Sequence, residues 1–390
     1  MPAHHRRPWW GLAVVAALGV GACTSSTGPQ AHLADPAALS SDLTTVSGVL
    51  RSPTFQSFGA VSGAAGSPAA APSRVGMLLS AAPITPPRSS RTLSTSSAAR
   101  VQALRQSAMA LSGGINASVI PPTKLGTTWV WNTTTHTYEQ DASATPAAPN
   151  DRVRIMLYAV NPVTYAIFET PLTPRGFVDL VDESTTTPAI DKLHVIVSGG
   201  TPASPGTEYV NYTVSGQVTG SPASAFTATS GGFVKDGTHT LTFSATFAAT
   251  QLNTDNPDTQ IDITWDLDNP AIHVELHETL VLSDASHILL TLTDFSVTHG
   301  AQTVSMHGTI AITVLTPTSQ TVTMDLTIDV NHVPWTHIGG TDGGITVRHA
   351  DGTVLSALEY QAFLDMFDLP AAVEFAAGSL FGPCEKLMGA

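Results

Sequence analysis

The chain has 390 residues, of which 42% are apolar and only 12% are charged. Its 16 Lys and Arg residues against 30 Asp and Glu residues give a net charge of −14, which excludes a nucleic-acid-binding surface because phosphate binding needs clustered cations. Only two cysteines are present, Cys23 and Cys384, so a disulfide scaffold is excluded as well.

The charge is unevenly distributed along the chain. Residues 24–125 carry a net charge of +5, whereas residues 126–390 carry −21. Such an asymmetry indicates two parts with different properties.

The first 22 residues have the pattern of a signal peptide. A basic start is followed by an apolar run from Trp9 to Val20, which is too short to cross a bilayer comfortably as a helix. The run ends in Val20-Gly21-Ala22-Cys23, which resembles the lipobox of bacterial lipoproteins. That resemblance implies cleavage before Cys23, acylation of Cys23 and a membrane anchor; with Thr24 rather than aspartate after the cysteine, it implies the outer membrane of the cell envelope.

Residues 23–126 form a low-complexity tether, rich in Ser, Thr, Ala, Pro and Gly, and we expect it to be mostly disordered. Two short helices are predicted within it. Asp35-Pro36 provides a cap and a first helical residue for the first helix, which Pro53 terminates. The second is predicted over 97–112 and stops at Gly113-Gly114.

Residues 127–355 form an all-β domain. About fourteen segments alternate apolar and polar residues, and no helical pattern separates them, so an antiparallel meander is expected. Strands this long and this numerous must curl into a curved sheet, a half-barrel or a sandwich. Val322, Met324, Leu326, Ile328 and Val330 are one such alternating run.

The hairpin around Asn269-Pro270 can be placed in register from its residues. Apolar side chains must share one face, and a slip of one residue would put aspartates in the core. The expected apolar pairs are Leu267 with Ile272, Trp265 with Val274 and Ile263 with Leu276; the polar pairs are Asp266 with His273, Thr264 with Glu275 and Asp262 with His277. The same reasoning pairs Val314 with Val322 and Ile312 with Met324 in a later hairpin.

Residues 356–390 are predicted to form a short helical pair that packs on the β domain. Ser356 to Glu359 matches a capping box, and Leu358, Ala362, Met366 and Phe367 follow on one face. A second, nearly all-apolar helix is expected over 371–380.

The candidate site is the polar face of the first hairpin. Its side chains are carboxylates and imidazoles, the ligand types of a zinc or other divalent-metal site: Asp262, Asp266, His273, Glu275 and His277. A solvated strand face with cross-strand Asp–His pairs has the same pattern. No catalytic motif and no cofactor motif is recognised, so no cofactor is expected, and Cys384 has no evident role.

Three functions are compatible with these features. The first is a non-enzymatic, membrane-anchored lipoprotein whose β domain binds an apolar ligand or another envelope component; at the level of fold alone it is similar to lipoprotein carriers, which hold acyl chains in a half-barrel capped by helices. The second is a structural or adhesive surface lipoprotein with a filled β core. The third is a metal-dependent envelope enzyme that uses the Asp262, His273, Glu275 and His277 face.

Overall fold

The computed structural model describes residues 31–49, Pro53, Ser57 and residues 120–367, with short gaps at 162–163, 165, 188, 221–223, 255–256, 284–286, 317–318 and 343. Several predicted segments lie outside these residues: the signal peptide, Cys23, most of the tether including the helix over 97–112, the helix over 371–380, and Cys384.

Helix α1 spans Pro36–Val49, and a second helix, α2, covers residues 357–367. The strands are β1 Thr128–Asn132, β2 Thr137–Gln140, β3 Arg152–Tyr158, β4 Pro174–Asp182, β5 Thr185–Thr186, β6 Ala189–Thr201, β7 Ser204–Thr219, β8 Ala225–Lys235, β9 Thr240–Thr250, β10 Asp258–Leu267, β11 Ile272–Leu282, β12 His287–His299, β13 Gln302–Thr316, β14 Ser319–Val330, β15 Val333–Thr341 and β16 Thr346–His349.

All sixteen strands belong to one continuous sheet, which confirms the all-β antiparallel prediction. From β6 to β16 the order in the sheet is the order in the chain; beyond β6 it continues as β4, β3, β1 and β2, and the two-residue β5 pairs with β6. The exception to antiparallel pairing is β1 beside β3, which run parallel. The simple antiparallel order is therefore interrupted only near the N-terminal end of the described sheet.

The strands bury one face, as their alternation predicts. In β9, Leu241, Phe243 and Phe247 are buried, whereas Thr242 and Ser244 between them are exposed. The apolar faces of the strands join α1 and α2 in a single hydrophobic core. Both helices thus cover the apolar face of the sheet rather than standing apart from it.

Gly232 allows an aromatic row to form inside this core. It lies in β8 between Tyr212 and Phe243, and a Cβ atom at Gly232 would come within 2.5 Å of the Tyr212 Cα. The two rings meet across the gap with their centroids 6.0 Å apart, and Phe243 in turn lies 5.9 Å from Trp265. The missing side chain thus lets large rings from β7, β9 and β10 pack together.

Helix α1 is part of this core, although its sequence lies within the predicted tether. The Asp35 carboxylate accepts hydrogen bonds from the amides of Ala37 and Ala38, both at 3.0 Å, which confirms the predicted cap. Leu43 and Val46 are buried against the β domain. The first element that the structure describes is consequently a component of the β domain.

Helix α2 begins as predicted and buries most of the predicted face. The Ser356 amide donates to Glu359 Oε2 at 2.9 Å, and the Glu359 amide donates to Ser356 Oγ at 3.3 Å, as in a capping box. Ala362 and Met366 of that face are buried, and Phe367 packs against the core. Leu358, which shares the predicted face, is 63% exposed instead, and Phe363 is fully buried. The inward face of a helix depends on the surface it packs against, and here that face is centred on Ala362, Phe363 and Met366.

The register predicted for the later hairpin is also wrong. Val322 pairs with Ile312 rather than Val314, and Met324 pairs with Ile310. The pairing continues to Thr316 opposite Ser319, with an irregularity between Val314 and Thr316. A shift of two residues leaves every apolar side chain on the same face, so the alternation could not distinguish the two registers.

Candidate functional site

The polar face of the β10–β11 hairpin has the register that the sequence predicts. Asp266 lies opposite His273, Thr264 opposite Glu275, and Asp262 opposite His277. All five candidate side chains therefore emerge on the polar side of two adjacent strands.

These side chains form two separate groups. His273 Nδ1 lies 2.6 Å from Asp266 Oδ1, and its Nε2 lies 2.9 Å from Glu275 Oε1. His277 Nδ1 lies 2.7 Å from Asp262 Oδ1. The hydrogen bond to Glu275, followed by the hydrogen bond and charge of Asp266, raises the pKa of His273.

This geometry gives the metal hypothesis no support. Both ring nitrogens of His273 are already in contact with carboxylates. Within the described part of the chain, no three His, Cys, Asp or Glu side chains are arranged to hold a metal ion. What the two groups can do is stabilise the sheet by cross-strand pairing, about 0.2–1 kcal/mol for each pair.

The same chemistry recurs over much of the described structure. Further contacts between a histidine and a carboxylate are His136 with Glu169, His194 with Glu183, His239 with Asp236, His299 with Asp42, His307 with Asp329, His337 with Asp325 and His349 with Glu359. Pairing of histidine with carboxylate is thus a general property of this surface rather than the mark of one site.

Among the described residues, a feature that can accommodate a ligand is a cavity of 460 Å³ between the start of α1 and the tip of the β12–β13 hairpin. Its apolar wall consists of Ala34, Ala38, Leu39, Val297, Ala301 and Val304. Its polar groups are Asp35, His299, Gln302 and Asn331. Ala34, Asp35, Ala301 and Asn331 are exposed, so the cavity opens to solvent along that side; below we call it the α1 cavity.

Two turns hold the sheet side of the α1 cavity. Gly300, with φ of 61°, closes the β12–β13 turn, and Asn331, with φ of 51°, lies in the β14–β15 turn. The Thr303 amide donates to Asn331 Oδ1 at 2.8 Å, and the Asn331 amide donates to the Thr303 carbonyl at 2.8 Å. This reciprocal bonding fixes the two turns relative to each other.

Polar contacts hold α1 over the cavity. Asp42 of α1 is buried, with only 11% of its side chain exposed, and its carboxylate contacts His299 Nδ1. The Ser40 hydroxyl donates to Asp365 of α2. His299 is thereby positioned at the cavity by a carboxylate of α1.

Sequence reasoning missed this cavity. Its walls come from residues 34–39 and from residues 297–331, which no periodicity or spacing connects. The signals were the small side chains at the start of α1, Ala34 and Ala38, and the His299-Gly300-Ala301 turn. Neither signal predicts a cavity unless the two segments are known to lie next to each other.

Comparison with known proteins adds no assignment. No protein-family model matches the chain, and neither a curated protein nor a solved structure matches it. In the described residues, no helix has the length and apolar character needed to cross a membrane.

Proposed function

We propose that this protein is a non-enzymatic, lipid-anchored envelope lipoprotein whose β domain binds an apolar or amphipathic molecule in the α1 cavity. The observation that carries the proposal is the cavity itself. Its volume of 460 Å³ falls within the range of about 300–1,000 Å³ that is typical of small-molecule sites. Its composition, a mainly apolar wall with a few polar groups, is also typical of such sites.

The packing of α1 and α2 favours the α1 cavity over a site along the whole apolar face of the sheet. Leu43 and Val46 of α1 and Phe363 and Met366 of α2 cover apolar surface of the sheet with their own side chains. A ligand that lay along the whole apolar face would have to displace them. The α1 cavity, in contrast, requires no rearrangement.

The lipobox resemblance supports a membrane source for the ligand. Ala34 of the cavity wall follows Cys23 by eleven positions, and a chain of that length reaches at most about 40 Å. An acylated Cys23 would therefore keep the α1 cavity within a short distance of the membrane surface. An apolar molecule that leaves the bilayer would then have little water to cross.

Titration of the full chain with a neutral fluorescent probe, N-phenyl-1-naphthylamine, tests the binding function. We expect saturable binding of one probe per chain. Ala38→Phe, which fills the cavity, is expected to weaken binding at least about tenfold, since loss of 1.4 kcal/mol is tenfold. Ala37→Phe is the matched control, because Ala37 is the exposed neighbour of Ala38 and does not line the cavity.

Equal effects of the two substitutions, or an absence of saturable binding, would contradict the proposal. Absence of binding would favour the structural lipoprotein with a filled core, which the packing of α1 and α2 on the sheet also fits. The anchor is tested separately by the intact mass of the detergent-extracted protein. We expect a chain that begins at Cys23 with added acyl groups, and an unmodified chain that begins before residue 23 would contradict the anchor.

A further inference from the structure

The polar groups of the α1 cavity have a particular chemistry. Gln302 and Asn331 present amides, and His299 presents an imidazole. Asp35 is the charged group of the wall, and none of the lining residues is Lys or Arg. A ligand in the cavity thus meets hydrogen-bonding groups and a carboxylate, without a cation of the kind that binds carboxylates or phosphates.

The imidazole of His299 lies against a carboxylate. His299 Nδ1 contacts Asp42 of α1, which is not one of the lining residues of the cavity. Asp365 of α2 accepts the Ser40 hydroxyl hydrogen bond and is not one of the lining residues. Asp35 is thus the lining residue with a formal charge. The N-terminus of α1, which Asp35 caps, contributes only about half a positive charge, so the net charge at this end of the cavity is negative.

The volume sets the size of the ligand. A water molecule takes about 30 Å³ in the liquid, and a methylene group is of similar size, so a cavity of 460 Å³ holds roughly fifteen non-hydrogen atoms. That is the size of one medium-length acyl chain, with its polar group at the side of the cavity that opens to solvent. A phospholipid with two chains is much larger.

We infer that the α1 cavity selects a single-chain amphiphile with an uncharged, hydrogen-bonding polar group, such as a glycerol monoester, over a fatty-acid anion of the same chain length. The inference rests on the proposed function. The apolar tail contacts Leu39, Val297 and Val304, the amides of Gln302 and Asn331 bind the hydroxyl or ester oxygens, and the Asp35 carboxylate repels an anionic head group.

Competition against bound N-phenyl-1-naphthylamine tests the selection. The competitors are glycerol monolaurate and laurate, which share one acyl chain, used below their micelle concentrations at about pH 8, where a carboxylic acid is ionised. We expect laurate to bind at least about fivefold more weakly than the monoester at low salt, and we expect the ratio to shrink as salt screens the Asp35 charge.

Asp35→Asn identifies the group responsible. Asparagine caps a helix about as well as aspartate, so α1 is retained while the charge is removed. This variant is expected to bind laurate about threefold more tightly, with monoester binding within about twofold of the unchanged protein. Asp351→Asn is the matched control, because Asp351 also accepts the amide of a residue two positions ahead, that of Thr353, and lies outside the cavity lining.

The outcomes distinguish this inference from the function on which it rests. Laurate that binds as tightly as the monoester, or a ratio unchanged by Asp35→Asn, would overturn the selection while leaving the binding function intact. If neither amphiphile displaces the probe, and Ala38→Phe does not weaken probe binding, the proposed function itself is wrong.

Discussion

Leu43→Ala is expected to lower the free energy of unfolding by about 3 kcal/mol. Leu43 lies at the centre of α1 and is only 3% exposed. Its transfer out of water contributes about 1.5–3 kcal/mol, and the void left between α1 and the sheet adds to that loss, which gives a range of about 2–5 kcal/mol. Alanine's higher helix propensity returns only a few tenths of a kcal/mol.

Leu358→Ala provides the matched control. Both positions are leucines in short helices, but Leu358 is 63% exposed, so its substitution is expected to change stability by no more than about 0.5 kcal/mol. Urea unfolding of the full chain, followed by tryptophan fluorescence, measures both variants against the unchanged protein. Trp265 and Trp335 are buried in the core and report its exposure.

The reasoning is refuted if Leu43→Ala behaves like Leu358→Ala. Helix α1 would then contribute nothing to the stability of the sheet, and the α1 cavity would lack a fixed wall. A lower denaturation midpoint with an unchanged dependence on urea is the result that places α1 in the cooperative core.

Three further substitutions test other parts of the structure. Burial, followed by the charge of Glu275, raises the pKa of Asp294. The folded protein therefore holds this proton more tightly than the unfolded chain, and the stabilising effect, complete below the unfolded pKa, is lost as pH rises through the folded pKa. Asp294→Asn should thus stabilise the protein at pH 7 but not at pH 3, as measured by urea unfolding at each pH. Gly308→Ala should destabilise the protein by about 1–3 kcal/mol. The φ of Gly308 is 135°, and a Cβ atom there would lie 2.1 Å from the Asp325 carbonyl oxygen. A melting temperature equal to that of the unchanged protein would contradict this prediction. The guanidinium of Arg154 donates two hydrogen bonds of 2.7 Å to Asp179. Asp179→Ala leaves this buried charge without its partner and should destabilise the protein by about 3–5 kcal/mol. A loss below about 1 kcal/mol in urea unfolding would show that water replaces the carboxylate.

The sequence predicted strand register best where the alternation of apolar and polar residues allowed only one pairing. Strict alternation with aspartates on the polar side left one register for the β10–β11 hairpin, and the structure has that register, for example Trp265 opposite Val274. In the β13–β14 hairpin, Val314 and Ile312 are two residues apart on one face, so the pattern allowed both registers. The observed register includes an irregularity between Val314 and Thr316, and alternation does not encode such an irregularity.

Sequence patterns could not predict the α1 cavity or the exposure of Leu358. Both depend on where a helix rests on the sheet, which is set by the summed fit of side chains distant in the chain. Asp42 illustrates this: in the sequence it is a polar residue on a short helix, and only the structure brings it to His299. The polar strand face, in contrast, was visible in the sequence because its neighbours are close in the chain.

The contact between Ser40 and Asp365 joins residues separated by 325 positions, and this separation has a consequence for how the protein folds. From β6 onward each strand pairs with the one before it, so the sheet can grow by local hairpin closure as the chain emerges during synthesis. Helix α1 is made early, but its contacts at the α1 cavity and with α2 cannot form until β12, β13 and α2 have been made. The slowest native contacts are thus expected at the α1 cavity, and hydrogen exchange during refolding should show the amides of α1 gaining protection after those of the central strands.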